Sequence, residues 1–112
     1  MKVSFASKKL AKVLNDDAKL AKTYGQLARP IRARLQTLAA APTLDDVPKE
    51  KPERCHQLTQ DRDECFAVDL SGKDRMIFDV DHDPIPRKPD GRSIDLKRVT
   101  AVVVTEISDH YS

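Results

Sequence analysis

The sequence predicts a two-layer α+β domain, with N-terminal helices packed on one face of a small, mainly antiparallel sheet. Three observations predict it. Leu20, Tyr24, Leu27, Ile31, Leu35 and Leu38 recur at spacings of three and four, which makes one apolar stripe along helical chain. After residue 54 the apolar residues fall instead into short runs with strand character, around 54–58, 64–70, 75–81 and 99–108. Ser71-Gly72-Lys73-Asp74 is a turn signal that joins two of these runs into a hairpin, with Gly72 supplying the positive φ. Helices with one apolar stripe must bury it, and the sheet is the only partner of sufficient size. The 112 residues make one domain, 1–112, able to bury about two thirds of its unfolded surface.

The elements follow in order. Met1-Lys2-Val3-Ser4-Phe5 alternates briefly and reads as an edge strand. Ser7 is a good N-cap for a helix carrying Leu10, Val13 and Leu14 on one side. Asn15-Asp16-Asp17 interrupts that helix and caps a second one. Gly25 and Pro30 both lie within the long stripe. Proline is costly inside a helix and tolerated in its first turn, so a break near Gly25–Gln26, with a restart before Pro30, reconciles the two. Pro42 ends the helical region. Residues 43–53, with Pro48, Pro52 and mixed charges, read as an exposed connection. In the last strand Val99, Ala101, Val103, Thr105 and Ile107 fall on one face and Val102 and Val104 on the other. Apolar residues on both faces predict a central position. Residues 82–98, with Pro84, Pro86, Pro89 and Gly91, form a long loop of the kind that is usually functional or mobile.

Charge is divided along the chain. Residues 1–42 carry nine Lys or Arg against two Asp, a net of +7, whereas residues 43–112 are net −5. A basic front half suits a polyanion or an acidic partner. No apolar run approaches the 18 or so residues of a membrane span, and the basic start lacks the apolar core of a signal peptide. Two cysteines are too few for a secreted disulfide framework, so a reduced, cytoplasmic setting is expected, with both thiols buried.

Metal readings do not fit. Asp79, Asp81, Asp83 and Asp90 match some positions of a calcium loop, but Pro84 stands where that loop needs glycine. Cys55, His56, Cys65 and His82 lack paired ligand spacing for zinc. No cofactor is expected. The remaining chemistry is concentrated late in the chain. His56 and His110 are proton carriers, Arg54, Arg62 and Arg75 are cations, and Tyr111 and Asp109 stand at the end of the last strand. Proton carriers with a cation for a phosphate oxyanion are sufficient to cut RNA.

These residues carry a resemblance. Arg54-x-His56-x-Leu58, Asp61-Arg62, the Phe66–Leu70 strand, Arg75-x-Ile77-Phe78 and the terminal Asp109-His110-Tyr111 resemble, in order and spacing, the RelE/ParE superfamily of bacterial toxin–antitoxin toxins. The HigB-like, plasmid maintenance killer branch is the most similar. Asp83-Pro84-Ile85-Pro86-Arg87-Lys88 followed by Val99-Thr100-Ala101-Val102 looks like a loop-extended subgroup. The resemblance implies a RelE-like fold and a ribosome-dependent mRNA endonuclease in which a 2′-OH attacks the adjacent phosphate without a metal. It implies a cognate antitoxin with a helix-turn-helix DNA-binding domain, and the ribosome and mRNA as further partners. His56, Arg75, Asp109, His110 and Tyr111 are the catalytic candidates, and Arg54, Arg62, Lys73 and Phe66 the RNA-binding ones. Lys19, Lys22, Arg29, Arg32 and Arg34 are the candidate antitoxin surface. The family's ending is Asp-Tyr-His, so the order here is swapped, and Thr59 and Gln60 replace an expected basic residue and glycine. His110 is favoured as the proton carrier, since an imidazole near pKa 6.5 suits transfer at neutral pH. Two other readings are a toxin-fold protein that chiefly binds its antitoxin with little or no nuclease activity, and a ParE-like gyrase inhibitor.

Overall fold

A computed structural model describes residues 1–58 and 65–108. The order is β1 (Lys2–Phe5), α1 (Lys8–Leu14), α2 (Asp17–Tyr24), α3 (Ala28–Ala40), β2 (His56–Gln57), β3 (Cys65–Asp69), β4 (Arg75–Val80) and β5 (Ala101–Ser108). The chain is α+β, with helices packed against a five-stranded mixed sheet of order β1-β5-β4-β3-β2. β1 runs parallel to β5 at one edge, and the other pairings are antiparallel.

Local chemistry explains the helix boundaries. The Ser7 hydroxyl accepts from the Leu10 N–H at 3.0 Å, and the Asp16 carboxylate accepts from the Lys19 N–H at 3.0 Å. Each satisfies a donor that the first helical turn leaves without a partner. Gly25, at φ +56°, ends α2, and a 3₁₀ turn over Gly25–Leu27 leads into α3. Pro30 then falls in the first turn of α3, where a missing N–H costs no helical bond.

The apolar stripes of the three helices close one face of the sheet. Leu14, Leu20, Ile31 and Leu38 share a core with Phe66, Val68, Met76, Phe78, Val102 and Val104. The Phe66 and Phe78 rings stack within it at 5.9 Å between centroids. The opposite face holds a smaller buried cluster of Cys65, Ala67 and Ile77, with Leu58 packed against it.

Two sequence expectations are corrected here. Residues 43–53 are not simply an exposed connection. Thr43 and Asp46 form a reciprocal cap on a 3₁₀ turn over Leu44–Asp46, and Leu44 and Val47 are each 1% exposed in the main core. The strict alternation expected from Val99 to Ile107 also fails. Phe78 pairs with Val104 and Ile77 with Glu106, so Thr105 is an extra residue, a bulge whose hydroxyl donates to the Ile77 carbonyl. The bulge turns Ile107 toward the core that holds Val102 and Val104, and Val99 is buried there as well. β5 nonetheless lies inside the sheet, between β1 and β4.

Loop 82–98 has a structure of its own. Arg87 and Ile94 pair as an antiparallel bridge, and the Lys88 N–H donates to the Ser93 carbonyl. The Asp90 carboxylate accepts from the Ser93 hydroxyl and from the Arg92 and Ser93 N–H groups, which lowers its pKa to about 2. His82 Nε2 accepts from the Thr100 N–H at 3.0 Å, tying the start of the loop to the strand after it. Among the described residues no helix is long and apolar enough to cross a membrane.

Candidate functional site

Strand register decides which candidates meet. His56 stands opposite Ala67, Ala67 opposite Ile77, and Ile77 opposite Glu106. Directly paired residues project to the same face. Ala67 and Ile77 belong to the cluster away from the helices, so His56 and Glu106 lie on that face at the two ends of one row. In the next row Asp69, Arg75 and Ser108 stand opposite one another. Strand and residue spacings put His56 and Arg75 about 12 Å apart at Cα. His56 and Arg75 are both half-buried and Glu106 is exposed.

The setting of His56 fixes its tautomer. His56 Nδ1 lies 2.7 Å from the Arg54 carbonyl oxygen. A carbonyl can only accept, so Nδ1 carries the hydrogen and the neutral ring keeps its lone pair on Nε2. Arg54 itself has φ +44°, a left-handed conformation unusual for a residue with a side chain. Its Nε and Nη2 donate to the two Asp69 carboxylate oxygens at 2.7 and 3.1 Å. That hydrogen bond, with the Asp69 charge, raises the Arg54 pKa further. The Asp69 N–H donates to the Glu53 carbonyl at 2.8 Å, and Arg34 Nε donates to the Asp69 carbonyl at 2.7 Å.

Two assignments made from sequence change. Phe66 is 3% exposed and stacked in the helix-side core, so it presents no ring to a base. Sequence spacing alone does not say which face of β3 the helices cover. Arg34 is 8% exposed and bonded to β3, so it leaves the candidate antitoxin surface. It sits three residues after Ile31 and four before Leu38, on the buried side of α3. The Arg54 guanidinium is paired with Asp69, although its side chain remains 46% exposed.

Lys73 is exposed in the hairpin turn, next to Gly72 at φ +59°. Lys19, Lys22 and Arg29 are exposed on the helices, and Arg32 Nε donates to the Asp17 carboxylate at 3.0 Å. Arg62, Asp109, His110 and Tyr111 lie outside the described residues. Glu106, at the far end of the His56 row, was not among the sequence candidates, although it is the single charge between Ala101 and Ser108.

The other polar features fall elsewhere. A cavity of about 260 Å³ is lined by Asp45, Lys88, Asp95, Leu96 and Lys97 and includes none of the candidates above. Burial pushes the Cys55 thiol up to about 11, which keeps it protonated and a poor nucleophile. Among the described residues no group of three or more His, Cys, Asp or Glu is placed to hold a metal. Comparison of the sequence with protein-family models and with curated proteins finds no match.

Proposed function

We propose that this chain is the toxin of a toxin–antitoxin pair and cuts mRNA on the translating ribosome through acid–base chemistry at the sheet face away from the helices. The observation that carries the reading is His56, whose Nε2 lone pair is set by the Nδ1–Arg54 hydrogen bond, on the same face as Arg75. His56 Nε2 takes the proton of a ribose 2′-OH, and the oxygen attacks the adjacent phosphorus. Arg75 holds its charge at any working pH and offsets the negative charge that grows on the phosphorane oxygens. His110 returns a proton to the departing 5′ oxygen. The products are a 2′,3′-cyclic phosphate and a 5′-hydroxyl. DNA lacks the attacking group and is left intact.

The fold proposed here is RelE-like. The proposed antitoxin meets the exposed basic groups of the helices, Lys19, Lys22, Arg29 and Arg32, through an acidic segment. That surface faces away from the cutting face, so the antitoxin leaves the Arg75 side to be covered by a second part of its chain. A net charge of +2 for the whole chain favours positioning by the ribosome over free capture of RNA.

The test maps 5′-hydroxyl ends on an mRNA in a reconstituted translation reaction and on the same RNA without ribosomes. Cleavage is expected only during translation. Arg75→Ala should lower it by about 10²–10³, the usual cost of one electrostatic donor. Equal cutting of naked RNA would remove the ribosome from the reading, and full activity of Arg75→Ala would remove the site.

A further inference from the structure

We infer that Asp69 is a positioning residue that, acting through Arg54, sets the tautomer and orientation of His56. The inference rests on the proposed site, and concerns how that site is built. Asp69 is the last residue of β3, and three groups hold it in place. Arg34 reaches from α3 to its carbonyl at 2.7 Å, and the Glu53 carbonyl accepts its N–H at 2.8 Å. Its pairing with Arg75 across β3 and β4 fixes the strand end. The carboxylate is thereby a fixed point rather than a flexible surface group, and its side chain is only 24% exposed.

Arg54 is the member of the pair with unusual backbone angles. It follows the exposed residues 48–52 and precedes a strand of only two residues. Its φ of +44° is a conformation that residues with a side chain disfavour. Two backbone bonds close the turn on its loop side, from the Arg54 N–H to the Glu50 carbonyl at 2.8 Å and from the Cys55 N–H to the Pro48 carbonyl at 3.0 Å. The fork of two hydrogen bonds to Asp69 anchors it on the sheet side, and fixes the direction of the guanidinium as well as its distance. The left-handed turn in turn aims the Arg54 carbonyl at His56 Nδ1, 2.7 Å away. The chain of cause therefore runs from α3 through Asp69 and Arg54 to the imidazole. Without the fork, the turn keeps only its loop-side bonds, the Arg54 carbonyl is held less firmly against the imidazole, and the Nδ1–H tautomer loses part of its preference.

Side-chain ¹⁵N resonances of the ¹⁵N-labelled full chain, recorded at a pH where imidazole is neutral, read the tautomer directly. In the parent protein His56 is expected with hydrogen on Nδ1. In Asp69→Asn, which removes the charge and one of the two acceptors, a substantial fraction should move to Nε2. Arg54→Lys keeps the charge but loses the fork and should do the same. Asp69→Glu should retain the parent tautomer. His82, whose Nε2 accepts from Thr100, is an internal control and should stay Nδ1-protonated in every variant that is folded.

In the translation reaction Asp69→Asn should lose activity in proportion to the Nδ1-protonated fraction it loses, up to about 10²-fold, the lower bound of a general base's contribution. The double variant Arg54→Lys, Asp69→Asn should be no worse than either single one, as two members of one linkage require. His56 with hydrogen on Nε2 in the parent, or an unchanged tautomer in both Asp69→Asn and Arg54→Lys, would overturn the inference. A parent protein with the expected tautomer that cuts no translated mRNA would remove the nuclease reading and leave this linkage in place.

Discussion

The two faces of the sheet use the same strands for different ends. On the helix side, alternate residues of β3, β4 and β5 are Phe66, Val68, Met76, Phe78, Val102 and Val104, all buried at 3% exposure or less. On the other side, the intervening residues include Asp69, Arg75, Asp79 and Glu106, with His56 beside them on β2. Among the described residues Cys65, Ala67 and Ile77 form the buried apolar cluster there. One face carries the stability that lets the other hold charged and titratable groups in register. A two-residue alternation is what makes this division possible within a single strand. Its consequence is that substitutions one position apart should have effects of different kinds.

Phe78→Ala should show the largest effect on stability. The ring is fully buried and stacked on Phe66, and truncation of such a side chain costs about 3–5 kcal/mol. Urea unfolding measures it. Arg75→Ala, three residues earlier on the opposite face, should cost clearly less in the same experiment while lowering cleavage by about 10²–10³. Similar stability losses for the two would break the division between the faces.

Arg34 is the residue that joins them, and it should rank second. Arg34→Met keeps the buried stem and removes the donor to the Asp69 carbonyl. A partly buried acceptor left without its partner costs about 1–3 kcal/mol. Unfolding should register that loss, and no loss at all would separate α3 from the site it is argued to support.

The smallest effect should come from a region that belongs to neither face. Asp90 has its pKa depressed to about 2 by the Ser93 hydroxyl and two backbone N–H groups. An unfolded carboxylate titrates near 3.9. The folded form is therefore favoured above that value, and the advantage is lost as the pH falls through about 2. Asp90 is fully exposed, so the contribution is small and local to the loop. The protection of the Ser93 amide, its exchange rate taken relative to the intrinsic rate at each pH, should fall across that window in the parent protein and stay level in Asp90→Asn.

Much of the helical layer was legible because its signals are local. Ser7 and Asp16 cap the helices they were expected to cap, Gly25 breaks the stripe, and Pro30 opens the next helix. Capping and backbone preference act over a few residues, and a reader of the chain sees all of the atoms involved. The hairpin at Gly72 was legible for the same reason. The 43–53 segment was misread because its two buried residues, Leu44 and Val47, have a spacing too short to show periodicity among prolines and charges.

The sequence by itself determined that there would be helices followed by strands, where most of them would end, and that His56 and Arg75 would stand on strands. It did not determine which face of each strand the helices would cover. That choice buries Phe66 and presents His56, and it depends on contacts between residues far apart in the chain. Nor did it determine the bulge at Thr105, where one unpaired residue reverses every later position on β5. The burial of Arg34 and the link from Asp69 through Arg54 to His56 belong to the tertiary structure for the same reason. Each joins segments separated by 15 residues or more, and no local preference of arginine distinguishes such a group from one in water.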